Sequence, residues 1–291
     1  MIKYKYHFLL LLTAAIWGFA FVAQRLGNAH IDPFLFNGLR FGIGAVSVWL
    51  LALVSGTKAI RFSTGGLLLG LVLFTASSLQ QVGLVWTTAG AAGFITGLYI
   101  VFVPLIGLVR KQAISPRLIM ALVLSLGGLV LMNDFSDLTV SAANGLVLIG
   151  AVFWAVHVQY TDKCRQKQDT LSLVINQYTV AALASLLVSL VLNWDSLGEV
   201  ELLYRIGRAG WPLLYGGLFS VGIAFSLQAY AQKHVAPTPA ALILCTEGVF
   251  ALISGFLVLK ERIDLSSVMG AVLISIGMIL ALLPGKKANP A

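Results

Sequence analysis

Ala15-Ile16-Trp17-Gly18-Phe19-Ala20-Phe21 has a counterpart 137 residues later, where Trp17-Gly18 returns as Trp154-Ala155 inside another apolar stretch. The order around it repeats as well. Leu39-Arg40-Phe41 answers Asn176-Gln177-Tyr178 at the same offset. Gln80, followed by Gly83-Leu84-Val85-Trp86, answers Gln228, followed by Ala231-Gln232-Lys233-His234, at 148 residues. Lys111, Ile114, Ala121 and Gly128 answer Lys260, Ile263, Gly270 and Gly277 at 149. The drift in offset places insertions in loops. The chain therefore reads as two degenerate copies of a five-stretch unit, an arrangement that puts a solute site between the halves of a membrane carrier.

Composition points the same way. Charged residues make up 10% of the 291 residues and hydrophobic ones 59%, against roughly 25% charged in a soluble domain. Such a surface belongs in lipid, and ten spans leave no room for a soluble domain. The net charge of +8 does not mark a nucleic-acid binder, because the basic residues sit at span ends and form no stripe. Cys164 and Cys245 carry neither a disulfide framework nor a metal spacing. Lys3 and Lys5 before Phe8–Leu12 resemble a signal peptide, but the further spans favour a retained first helix.

Helices are predicted near Phe8–Gln24, Pro33–Val54, Leu67–Trp86, Ala91–Val109 and Leu118–Met132. The second series lies near Leu146–Tyr160, Leu171–Leu192, Trp211–Ala231, Pro239–Leu259 and Leu265–Leu283. The fifth and sixth are short against the ~20 residues that cross a bilayer. Gly38-x3-Gly42, Gly66-x3-Gly70 and Gly93-x3-Gly97 offer close helix approaches. With the N-terminus inside, thirteen basic residues are cytoplasmic: Lys3, Lys5, Lys58, Arg61, Arg110, Lys111, Arg117, Lys163, Arg165, Lys167, Lys233, Lys286 and Lys287. Five are external: Arg25, Arg205, Arg208, Lys260 and Arg262. That bias predicts both termini inside. An odd number of spans per half then makes the repeats inverted. In the external loop Asn193–Gly210, Leu197, Val200, Leu203 and Ile206 recur at helical spacing with Glu199, Arg205 and Arg208 off that face, as in a short interfacial helix.

Ionisable groups in the hydrocarbon zone cost about 2.5–3.5 kcal/mol each on insertion scales. Arg40, His157 and Glu247 are the three within the predicted spans, and Glu247 is the one carboxylate. Arg40 could snorkel to the headgroups, and His157 could bond a neighbouring helix. Glu247 is too short and too deep to escape, so it must be protonated, paired or facing water. Trp17 and Trp154 fall near mid-span although tryptophan collects at interfaces, which suggests cavity walls. Gln80, Tyr99, Gln228 and Tyr230 are further candidate substrate contacts; together with Asn37, Gln81, Asn176, Gln177 and Tyr178 they add uncharged hydrogen-bonding groups, many of which only glue helices together. There is no G-x-S-x-G, H-E-x-x-H or Walker A sequence. The expectation is no enzyme, no catalytic residue, no metal and no cofactor, with transport either facilitated or coupled to an ion such as the proton or to a counter-substrate.

These residues resemble the drug/metabolite transporter superfamily, specifically its EamA-type transporters. Trp17-Gly18…Phe21 looks like the opening W-G-x-x-F, Pro33…Arg40-Phe41 like the start of the second helix, and Gly270…Leu273-Ile274…Gly277 like the closing G-x-x-L-I-x-x-G. One departure is Glu247-Gly248, where family members commonly carry Glu-Pro. The resemblance implies an all-α membrane protein of ten helices, with one EamA repeat over residues 1–135 and a second over 142–285, inverted, in the bacterial inner membrane. Helices 1, 3, 4, 6, 8 and 9 would surround a cavity, with 5 and 10 peripheral. The implied function is secondary transport of small metabolites, amino acids or related amphipathic compounds, often outward. The alternative is a lipid or polyprenyl-carrier flippase subunit with a large head-group cavity. The partners are a small solute and the bilayer, not nucleic acid.

Overall fold

A computed structural model describes residues 2–54, 60–112, 114–131, 142–164, 169–193, 200–260 and 263–282. Every regular element among them is helical. Eight helices are long and apolar enough to cross a membrane: α1 (Ile2–Asn28), α2 (Pro33–Val54), α3 (Thr64–Gly83), α4 (Ala89–Val109), α6 (Ala142–Cys164), α7 (Thr170–Leu192), α8 (Gly210–Ala231) and α9 (Pro237–Leu259). Two shorter apolar helices, α5 (Pro116–Leu131) and α10 (Leu265–Leu282), complete the set.

Local chemistry explains the starts and stops. The Asp32 carboxylate accepts from Phe34 N and Leu35 N at 2.9 and 3.0 Å, with Pro33 opening α2; both satisfy the orphan donors of a first turn. Ser63, Thr88 and Asp169 cap α3, α4 and α7 in the same way. The C-termini of α4 and α9 are followed by Lys111 (φ 58°) and Lys260 (φ 59°) in the left-handed region, the residues matched by the sequence repeat.

Both α4 and α9 break in mid-span. Leu98 and Cys245 take φ −62° with ψ −13°, separating Ala89–Gly97 from Tyr99–Val109 and Pro237–Leu244 from the segment that begins at Glu247. The missing proline after Glu247 therefore does not straighten α9. Its partner α8 departs differently, running as a π-helix over Tyr215–Phe225. Gly216, Gly217 and Gly222 in that stretch weaken the regular helix. The equivalent helix α3 has no such segment.

Exchanging the halves maps the packing onto itself. The α1 helix packs on α8 and α9, and α6 on α3 and α4; α2 faces α7, α4 faces α9, and α5 faces α10. Small residues set these distances. A Cβ at Gly38 would lie 2.6 Å from Leu186, and one at Gly70 would lie 2.6 Å from Val180. At the α5–α10 contact, a Cβ on Gly128 would meet the Gly270 carbonyl at 2.5 Å, and one on Gly277 the Ala121 carbonyl at 2.7 Å. Gly42 has nothing within 4 Å, so the first Gly-x3-Gly is only half used.

Some boundaries move. The α6 helix is not short but has 23 residues, because Ala142–Gly145 and Thr161–Cys164 extend it at both ends. The α3 helix ends at Gly83, and Leu84–Trp86 form a turn. The extension of α6 also corrects the carboxylate count: Asp162 is inside the helix, 7% exposed, with Arg110 Nη2 at 3.8 Å from its Oδ2. A short helix, Val200–Arg208, follows α7 with Leu203 and Tyr204 exposed. Arg205 Nε donates to the His30 carbonyl at 2.7 Å, fastening that helix to the α1–α2 turn. Leu197, Glu199, Lys58, Arg165, Lys167, Arg262, Lys286, Lys287, the junction 132–141 and the C-terminus lie outside the described residues.

Candidate cavity between the two halves

The site grows from one face of α1. Trp17, Ala20, Phe21 and Gln24 recur at helical spacing, and all four line a cavity at the centre of the bundle. Opposite them stand Trp154 and Val158 of α6, two positions related to Trp17 and Phe21 by the same 137 residues. Gln80 and Gln228, Thr96 and Leu244, and Tyr99 and Glu247 also line it, each pair 148 apart. The wall is thus assembled from matched positions of both halves. The cavity volume is about 40 Å³. That corresponds to roughly three waters at the ~10–15 Å³ that one requires.

Aromatic rings form the apolar part. Phe225 of α8 sits between the tryptophans, 4.6 Å from the Trp17 ring centre and 5.8 Å from that of Trp154, with which it stacks. Each indole N–H is used. Trp17 Nε1 donates to the Ser220 carbonyl at 3.2 Å, inside the π-helical stretch. Trp154 Nε1 donates to Gln80 Oε1 at 2.9 Å. Gln80 is further tied by Thr96, whose hydroxyl donates to Oε1 at 3.3 Å, and by its own Nε2 donating to Gln24 Oε1 at 3.1 Å.

Two charged side chains reach this wall from different halves. Arg40 does not snorkel: it is 2% exposed, its Nε donates to Asn37 Oδ1 at 2.8 Å, and its guanidinium lies 4.8 Å from the Phe41 ring centre. It runs along α8 at Gly216, where a side chain would stand 3.4 Å from its methylenes. Glu247 is 4% exposed at the break in α9, and its Oε1 has no hydrogen-bond partner among the described residues. The Tyr99 hydroxyl is buried as well and faces that carboxyl group. Neither Arg40 nor Glu247 closes an ion pair with a described residue. Arg40 occupies the position of Gln177, and Glu247 that of Tyr99, so charge is where the halves differ.

Of the nine candidate contacts, Trp17, Arg40, Gln80, Tyr99, Trp154, Gln228 and Glu247 line the cavity. His157 and Tyr230 do not. His157 stands behind the wall, its Nε2 2.8 Å from Gln177 Oε1 and its ring edge-on to Trp154 and Phe225. Since an amide oxygen only accepts, Nε2 carries the proton. Tyr230 lies toward the end of α8, 38% exposed, beside Tyr6 and His234. A step of two residues along the helix turns it away from the face that carries Gln228. The sequence reading missed Gln24, Phe21, Thr96, Ser220 and Phe225. Stepping seven residues from Trp17 would have found Gln24, and the repeat offset would have paired Phe21 with Val158. Ser220 and Phe225 are displaced by the π-helix and had no such signal. Asn37, Gln81, Asn176, Gln177 and Tyr178 bond other helices or brace neighbours, as glue should. No cluster of His, Cys, Asp or Glu that could hold a metal ion occurs among the described residues.

With this geometry in hand, comparison with known proteins is decisive at the level of family. The profile of the EamA-like transporter family matches twice, over residues 4–134 and 141–283, and the chain belongs to that family. It is a multi-pass membrane protein and a membrane transporter. An uncharacterized transporter of Archaeoglobus fulgidus is 27% identical over 273 residues, covering 93% of this chain and 83% of its own. The uncharacterized transporter YoaV of Bacillus subtilis is 26% identical over 277 residues, covering 91% and 92%. A solved crystal structure superposes with a TM-score of 0.78 at 18% identity, covering 95% of this chain and 97% of that one, which establishes the likeness in fold.

Proposed function

We propose that this protein is a secondary transporter that moves small amphipathic metabolites, amino acids foremost, across a bacterial inner membrane by alternating access, in the outward direction. The observation that carries the reading is the pairing of Arg40 and Glu247. One buried cation and one buried acid, each without an ionic partner among the described residues, face a single aromatic cavity. Buried charges are costly unless something compensates them. A solute carrying a carboxylate and an ammonium compensates both, and its apolar body rests against Trp17, Trp154 and Phe225. Glu247 is the group that would exchange a proton for coupling, being the one acid among the side chains that line the cavity.

Inverted repeats of five helices, with both termini cytoplasmic, are part of the same reading. Its support is the matched packing of the halves, the equivalent breaks in α4 and α9, and the basic bias of the predicted inner segments. The flippase alternative needs a large head-group cavity, and this one is narrow.

Uptake into proteoliposomes tests the proposal with a neutral amino acid, its amide and its deaminated acid. The amino acid should move, and each singly charged analogue should move at least about tenfold less, the loss of one charge-assisted bond. Equal transport of all three would overturn the charge assignment. Glu247→Gln should flatten the pH profile of uptake, and an unchanged profile would remove the proton from the scheme.

A further inference from the structure

Gln80 and Gln228 hold equivalent places, 148 residues apart, yet their surroundings differ. Gln80 makes three side-chain hydrogen bonds, to Gln24, Thr96 and Trp154. Gln228 is 1% exposed and lines the cavity, but its amide makes no hydrogen bond among the described residues. Trp17, the equivalent of Trp154, would be its partner; instead it donates to the Ser220 carbonyl. Thr161, the equivalent of Gln24, has a buried hydroxyl with no hydrogen-bond partner among the described residues. The helices concerned are in contact in both cases, α3 with α6 and α8 with α1. Finally, α3 is a regular helix while α8 is π-helical over Tyr215–Phe225, which contains Ser220.

We infer that these differences are two halves of one switch: the Trp154–Gln80 bond holds the present state, and in the opposite-facing state it opens while Trp17 donates to Gln228. The inference rests on the reading of the chain as a carrier built from inverted repeats. In such a carrier the second state arises when each half adopts the arrangement of the other. Bonds present on one side must then form on the other. The groups this requires make no side-chain bond among the described residues: the Gln228 amide, which lines the cavity with Trp17, and the Thr161 hydroxyl. Trading one indole–amide bond for its equivalent leaves the net bonding nearly unchanged, as suits two states that interconvert. Moving Trp17 from Ser220 would free that carbonyl for bonding within α8. Gln80 and Gln228 are thus positioning residues acting through the tryptophans.

The two glutamines should push the equilibrium in opposite directions. Spin labels at Trp86 and Tyr204 report one mouth and labels at Phe62 and Val109 the other; all four side chains are exposed. Native Cys164 and Cys245 are buried. In the full chain in lipid nanodiscs, Gln80→Leu should move the population toward the opposite-facing state about fivefold, the worth of a modest hydrogen bond. Gln228→Leu should shift it the other way by a similar factor. Trp154→Phe keeps the ring and loses only the N–H that reaches Gln80, so it should reproduce the Gln80→Leu shift even where the leucine variant fails to fold. Trp17→Phe loses one bond in each state and should shift the equilibrium little. Leucine-variant shifts in the same direction, or none in Trp154→Phe, would overturn the switch. Solute uptake by the wild-type protein separates this from the carrier reading. Uptake with same-direction shifts sinks the switch alone, whereas opposite shifts with no uptake of any solute sink the carrier.

Discussion

On the α3 side of the cavity a glutamine side chain makes three hydrogen bonds; on the α8 side its equivalent makes no side-chain bond among the described residues. The same contrast runs through the whole wall. Backbone features are duplicated: the mid-span breaks at Leu98 and Cys245, the left-handed Lys111 and Lys260, and the glycines of the α5–α10 contact. Side-chain chemistry is not. Arg40 stands against Gln177 and Glu247 against Tyr99. Duplication supplies a frame with two matched faces, and the departures from it give the cavity its polarity.

Removing the departures should have the largest effect. Arg40→Gln installs the residue of the other half, and uptake of a zwitterionic solute should fall at least about tenfold through loss of a charge-assisted contact. Gln177→Arg in the same background should not restore it, because Gln177 is engaged by His157 outside the cavity. Recovery in the double variant, measured by uptake rate, would mean that the halves are interchangeable after all.

A second contrast is steric. Gly18 touches α9 so closely that a Cβ would meet Phe250 Cβ at 2.3 Å and the Glu247 carbonyl at 2.8 Å, whereas the equivalent residue is Ala155. Gly18→Ala should lower stability by about 2 kcal/mol through overpacking against backbone. Ala155→Gly should cost about half that, the helix propensity difference alone. Comparable thermal midpoints for the two in detergent would show that α1–α9 and α6–α4 are equally spaced.

The glutamines differ in stability as well as in state. Gln80→Leu strands the Trp154 N–H and the Gln24 amide, a loss of about 1–3 kcal/mol. Gln228→Leu strands nothing and should stay within about 0.5 kcal/mol of the wild type. Denaturation of the two variants side by side decides this. Smallest of all, Lys111→Gly and Lys260→Gly should each relieve about 1 kcal/mol of left-handed strain, and a lower midpoint in either would contradict the matched caps.

Much of the frame was legible because the repeat spaces it. Trp17, Gln80, Trp154 and Gln228 are unusual residues that recur in order, and lipid makes Arg40 and Glu247 conspicuous. Tyr230 misled because it lies only two residues from Gln228, and in a helix that step turns to another face. Asp162 was overlooked because apolar patterning ends before the helix does. Ser220 and Phe225 were illegible for a different reason: a π-helix shifts the register of every later side chain, and glycine content alone does not announce one.

The narrowness of the cavity matters to the cell's energy supply. A bilayer at 100 mV holds about 2.3 kcal/mol for each elementary charge that crosses it, and a continuous thread of water would let that store drain. Between Trp17, Trp154 and Phe225 there is room for only a few water molecules, set among aromatic faces. On the proposed carrier reading, the surface that would grip a solute also resists ion leak, and a change that widens it for a bulkier cargo would lower that resistance.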